Sequence, residues 1–248
     1  MQKVGHGIGR SALRRLTPRL IGTLGVALTA TPGAALADTQ SYTISSFDSL
    51  RVEAPVNVIL TTGGGSSGRG EGPRATLERL RVEVSGRVLK ISMVAATGGG
   101  RSAGPATLRF STGDLRRVML TGGGSITVNR MKGLSGDIVL GGNGDVTIQA
   151  VDVDRLTVML AGGGRATLAG RAGVADLRVS GPGSIAAEKL TARQSRLSSD
   201  GPGEIAVITA VSADIRSSGS GDVTVQGKPA CTVKNLGTGR IYCAGESY

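Results

Sequence analysis

From Arg116 onward apolar and polar residues alternate with a period of two, and the alternation restarts at nearly constant intervals. One apolar column is Val118, Ile138, Val158, Leu177, Leu197, Ile215 and Val233; each stands four positions ahead of a glycine corner. The corners pair Gly122 with Gly124, Gly142 with Gly144, Gly162 with Gly164, Gly181 with Gly183, Gly201 with Gly203, Gly219 with Gly221 and Gly237 with Gly239, and their first glycines are 18 to 20 residues apart. Two residues after each corner's last glycine comes a second apolar column: Ile126, Val146, Ala166, Ile185, Ile205, Val223 and Ile241. Between it and a third inward column (Val128, Ile148, Leu168, Ala187, Val207, Val225, Cys243) lies a mostly polar, β-branched one, with Thr127, Thr147, Thr167 and Thr224. A period of two places alternate residues on opposite faces of a strand. A repeat this short cannot bury its apolar face alone, so neighbouring repeats must stack.

The pattern predicts an all-β fold: a right-handed parallel β-helix, or solenoid, of 18–20-residue coils with Gly-x-Gly corners and about seven regular coils over 116–248. Glycine suits the corner because the backbone there takes a positive φ or meets the next coil closely. Charges in the outward columns alternate in sign between coils. Arg117 sits by Asp137, Asp145 over Arg165, Asp222 over Arg240, and Asp176, Arg196 and Asp214 succeed one another. These are expected to be exposed register devices, worth about 0.2–1 kcal/mol each.

Residues 38–115 carry the same alternation with longer loops, and are expected to cap the solenoid within one continuous domain, 38–248. Residues 38–60 should cover one end and the last coil the other. Val52, Val56, Val58 and Leu60 face one way, as do Leu80, Val82 and Val84, then Leu89, Ile91 and Met93, then Leu108 and Phe110. Two Gly/Ser/Arg-rich stretches, 63–74 and 97–105, read as surface loops. In the first, Gly63, Gly65 and Gly68 satisfy G-x-G-x-x-G, but no helix opens behind them, which removes the dinucleotide reading.

Residues 1–37 have the form of a secretory signal peptide: Lys3, Arg10, Arg14, Arg15 and Arg19, an apolar run from Leu20 to Ala30, and Ala35-Leu36-Ala37 before Asp38, with cleavage expected between Ala37 and Asp38. The apolar run is too short to span a bilayer, and no span is expected in the mature chain. Cleavage removes five of the 29 basic residues and none of the 18 acidic ones, so the formal charge falls from +11 to +6. That charge attracts acidic polymers only weakly; without a basic block or a recognition motif, no nucleic-acid partner is expected. The only histidine, His6, also leaves, which excludes imidazole catalysis and histidine metal sites.

The GxG corners, the opening Phe47-Asp48-Ser49-Leu50-Arg51-Val52 and the close from Ser218-Gly219-Ser220-Gly221-Asp222-Val223 to Gly227-Lys228-Pro229 resemble the putative auto-transporter adhesin, head GIN domain family over roughly 45–245. The resemblance implies an exported bacterial protein with parallel β-helical repeats. It implies no catalytic residue or cofactor, and the family name suggests adhesion. Here the corners depart toward Gly-Gly-Gly and Gly-Pro-Gly, and the two early loops are long.

Candidate chemistry is sparse. Polysaccharide-processing β-helices pair aspartates on adjacent coils; Asp152 and Asp154, read as an inter-coil loop, and Asp200 lack such partners. Gly141-Gly142-Asn143-Gly144-Asp145 begins like a calcium-binding nonapeptide, but the required acid would fall at Val146, so no metal or cofactor is expected. The aromatics of the mature chain, Tyr42, Phe47, Phe110, Tyr242 and Tyr248, form no column for stacking sugars or bases. Met119, Val139 and Met159 point outward on three successive coils. Either they form a partner site or, as expected, the N-terminal strands or a capping loop covers them. Cys231 and Cys243 both point inward in the last coil, and in an oxidising compartment they are expected to form a disulfide. Two functions remain: an envelope or surface module binding an envelope or extracellular polymer or protein, and a polysaccharide lyase or glycosidase.

Overall fold

The computed structural model describes residues 38–95 and 104–248. The expected signal peptide and residues 97–103 of the second expected loop lie outside them. The first third forms β1 (Asp38–Tyr42), β2 (Ser49–Val52), β3 (Asn57–Thr62), β4 (Ser67–Gly72), one helical turn α1 (Arg74–Leu77), β5 (Leu80–Ser85), β6 (Val88–Met93) and β7 (Thr107–Thr112). The repeats form β8 (Arg117–Gly122), β9 (Ser125–Val128), β10 (Met131–Gly142), β11 (Asp145–Ala161), β12 (Arg165–Ser180), β13 (Ser184–Asp200), β14 (Glu204–Ser217), β15 (Val223–Gly227), β16 (Ala230–Asn235), β17 (Ile241–Cys243) and β18 (Glu246–Ser247).

Each coil gives a strand to a first wall ahead of the corner and another to a second wall behind it. On the first wall Val118, Ile138, Val158, Leu177, Leu197, Ile215 and Val233 are successive register partners. On the second, Ile126, Val146, Ala166, Ile185, Ile205, Val223 and Ile241 are likewise aligned and at most 1% exposed. The coils stack in parallel, and their core is this double column of apolar side chains.

The corners require glycine for two reasons. The leading glycines Gly122, Gly142, Gly162, Gly181 and Gly201 take a left-handed backbone, Gly162 with φ +122°, whereas a Cβ on Gly219 or Gly237 would run into the carbonyl oxygen of Gly201 or Gly219. Of the two expected reasons, a positive φ is shown among the trailing glycines by Gly124 alone, at +111°. Their reason is close approach. A Cβ on Gly144, Gly164, Gly183, Gly203, Gly221 or Gly239 would run into a carbonyl oxygen of the coil before, that of Gly124, Gly144, Gly164, Gly183, Gly203 and Gly221 respectively. The separation would be 2.8 Å at Gly144 and 2.5 Å at Gly183. Gly124 meets no earlier repeat; a Cβ there would lie 2.5 Å from the carbonyl oxygen of Val56, in the chain leading into β3.

The N-terminal part is laid down out of order. β2 pairs in parallel with β8 on one side and β6 on the other, Leu50 standing between Val118 and Leu89. β3 likewise lies between β9 and β7. The β2–β3 coil is therefore an interior layer, enclosed when the chain passes out to β6–β7 and back across to β8. Asp48 stitches the crossing: its N–H donates to Arg87 O (3.0 Å), and its carbonyl accepts from Arg116 N (2.7 Å).

Residues 38–60 thus do not cover the end as a unit; only β1 does so. The end is closed by β5, antiparallel to β6, and by β4 and β1, added antiparallel beyond β7. β4 overturns the loop expected over 63–74. Its inward positions are glycines because neighbouring side chains occupy that space. A Cβ at Gly68 would be 2.8 Å from a Phe110 ring carbon, and one at Gly70 would be 2.8 Å from Leu108 and 3.1 Å from the Tyr42 ring.

At the other end the sulfur atoms of Cys231 and Cys243 are bonded, joining β16 to β17 with Cα atoms 6.4 Å apart. β18 runs antiparallel along β17.

Candidate functional site: the outer face of the first wall

Strand parity and register together produce one continuous outward column on the first wall: Lys90, Arg51, Met119, Val139, Met159, Arg178, Ser198, Arg216 and Lys234. At ~4.8 Å per coil the column runs about 38 Å, with three apolar residues in the middle and cationic residues on both sides. Met159 is 43% exposed, and Met119 and Val139 are half-buried among their neighbours. Of the expected covers, the N-terminal strand β2 is a member of the same sheet, and among the described residues no strand lies over the strip.

Beside the strip lies a depression of about 520 Å3. Ser198 is short between its register neighbours Arg178 and Arg216, so the floor drops there. Asp176, Arg196, Leu197, Asp200 and Asp214 complete the lining. The carboxylates are engaged. Arg178 grips Asp176 through both nitrogens, at 2.9 and 3.0 Å, Arg216 lies 3.6 Å from Asp214, and the Ser218 hydroxyl donates to Asp200.

Several expected ladder pairs are therefore rearranged. Arg196 is the register neighbour of Asp176 and Asp214, yet each acid binds an arginine two residues along its own strand, where the side chains share a face. Asp145 and Arg165 are register partners without an ion-pair contact among the described residues. Arg117–Asp137 (3.2 Å) and Arg240–Asp222 (3.6 Å) do make theirs. At the N-terminal edge, Arg51 and Lys90 share Glu53, at 2.6 and 3.3 Å.

Asp152 and Asp154 are not in a loop but within β11, on a short third side of the coil. Arg171 holds Asp152 with bonds of 2.7 and 3.2 Å. Its hydrogen bond is the main reason the carboxyl sits below its ordinary pKa. A carboxylate so held is an ion-pair partner, poorly suited to donate a proton. Among the described residues no three His, Cys, Asp or Glu side chains converge as a metal site would require. Ala37 lies outside the described residues, and Asp38 opens β1. The Ser198 depression escaped sequence reasoning, although a serine standing between Arg178 and Arg216 in one column was its visible signal.

The putative auto-transporter adhesin, head GIN domain family matches residues 46–229. No curated protein matches the chain. Among solved structures, the chain is similar to a putative adhesin from Bacteroides fragilis at 24% identity and a TM-score of 0.78, covering 84% of this chain and 97% of that one. It is also similar to a putative lipid binding protein from Parabacteroides distasonis, at 21% identity and 0.68, covering 84% and 96%. A putative adhesin from Parabacteroides merdae, at 17% and 0.67, covers 85% and 97%. At these identities the likeness shows a shared fold.

Proposed function

The chain belongs to the putative auto-transporter adhesin, head GIN domain family, and from that premise we propose that it is an exported, non-enzymatic module of the cell envelope or surface that binds a partner through the first wall. The observation that carries this reading is the Met119–Val139–Met159 strip, an apolar band left open on a flat sheet between cationic margins. Apolar side chains on three successive coils offer a partner one contiguous contact strip. The signal-like start supports export, and among the described residues no helix is long and apolar enough to cross a membrane. Partner identity is open to an envelope polymer or an envelope protein. The competing reading, a polysaccharide lyase or glycosidase, asks for a poised acid, whereas Asp176 and Asp214 are held by arginines and Asp200 accepts from the Ser218 hydroxyl.

The test is incubation of residues 38–248 with isolated envelope fractions and with acidic polysaccharides. Saturable binding without change in polymer length is the expected result. Time-dependent shortening of a polysaccharide would replace the binding module with an enzyme.

A further inference from the structure

Three of the four sheet ends are finished by an antiparallel strand from the chain itself: β5 on β6, the β4–β1 pair on β7, and β18 on β17. The fourth end is β16, whose one strand partner among the described residues is β14, in parallel. On this wall, residues with outward side chains turn their backbone groups toward the preceding coil. Asp137 N donates to Arg116 O and Leu236 N to Ser217 O, both at 2.8 Å. Because backbone groups alternate in direction along a strand, those of Cys231, Val233 and Asn235 point the other way, where no further coil lies among the described residues. The core beneath is incompletely closed: Val233 and Cys231 are half-buried where Ile215 and Ala213 one coil earlier are at most 1% exposed, and Leu236 is 72% exposed.

The slot selects its occupant. β18 already fills the next position on the second wall. A second copy meeting this edge would hold the first walls ~4.8 Å apart while the two β18 strands need about 14 Å between the second walls. One extended strand fits where a second solenoid does not. On the outward side it would meet Lys234, with Arg216 as its register neighbour, and on the inward side Val233. We propose that β16 accepts an extended strand from another polypeptide, antiparallel, with alternating residues apolar toward the core and acidic toward Lys234. Main-chain hydrogen bonds would supply the affinity and the alternation the selectivity. This edge is distinct from the apolar strip, and neither reading depends on the other.

The probe is an end-blocked heptapeptide alternating valine and glutamate, and the readout is amide hydrogen exchange of residues 38–248. In the free protein the amides of Cys231, Val233 and Asn235 exchange rapidly, while those of Thr232, Lys234 and Leu236 are protected. Saturating peptide slows the first three at least tenfold and leaves the others unchanged. N-methylation of the peptide's valine amides abolishes the effect; N-methylation of its glutamate amides does not. The proposal is overturned if the three amides are already protected in the free protein, if saturating peptide leaves them unchanged, if protection appears at another edge instead, or if both methylated peptides act alike.

Discussion

Residues 116–248 stack in the order in which they occur, each coil on its immediate predecessor, whereas residues 49–112 place their first coil between two later ones. In the ordered region a strand meets its partner 18 to 20 residues away: Val118 lies beside Ile138, and Ile215 beside Val233. In the early region Leu50 meets Val118, and the whole cap is made between them. The two regions use the same alternating strands and the same core chemistry. What differs is the length of chain closed by each contact, a cost that grows slowly with length for stability but weighs on folding rate. A coil inserted this way should be as stable as its neighbours while forming later than they do.

Truncation tests that equivalence most strongly. Leu60→Ala, in the inserted coil, and Leu140→Ala, in an ordered one, remove side chains at most 1% exposed. Both should cost about 4 kcal/mol in urea unfolding. A loss below about 1 kcal/mol for the first alone would mean that the inserted coil is a detachable cap. Next come the corners: Gly221→Ala forces a Cβ onto the Gly203 carbonyl and should cost about 3 kcal/mol. Gly64→Ala, beside the early strands with nothing within 4 Å of the added carbon, should change stability by less than about 0.5 kcal/mol.

Among the described residues the closing coil has β18 beyond it on the second wall only, and the Cys231–Cys243 bond ties its open first-wall strand to that covered one. Replacing Cys231 and Cys243 by serine should lower stability by about 3 kcal/mol under oxidising conditions, and reductant should bring the parent to the same level. Non-reducing mass spectrometry that finds two free thiols would contradict the assignment. The smallest effect is expected at Asp48, the stitch of the early crossing. Burial alone would raise its carboxyl, but hydrogen bonds from Ser49 and Arg87 and the charges of Arg87 and Arg116 hold it below its ordinary value. Its contribution is therefore complete above the unfolded pKa of about 4 and is lost as pH falls through the lower folded value. Asp48→Asn should be less stable than the parent at pH 7, with the difference shrinking as acid is added.

The ordered coils were legible because each column repeats within 18–20 residues, so parity alone places Ile126 over Val146 and Thr127 beside Thr147. Three features were not. The inserted coil depends on a pairing across the whole cap, for which no local signal exists. β4 reads as a loop because its inward residues are glycines, its apolar cover coming from Phe110, Leu108 and Tyr42 elsewhere in the chain. The salt bridges follow rotamer reach, which lets Arg178 turn back to Asp176 rather than leave it to Arg196. Of the candidate site, sequence parity located the Met119–Val139–Met159 strip but assigned it a cover that the sheet does not provide.

The most direct measurement of the binding claim is methionine oxidation of the protein, free and bound to an envelope fraction. The exposed thioether of Met159 should convert to the sulfoxide readily in the free protein and several-fold more slowly in the bound one. Equal oxidation of Met159 in bound and free protein would place the contact elsewhere and remove the first wall as the binding surface.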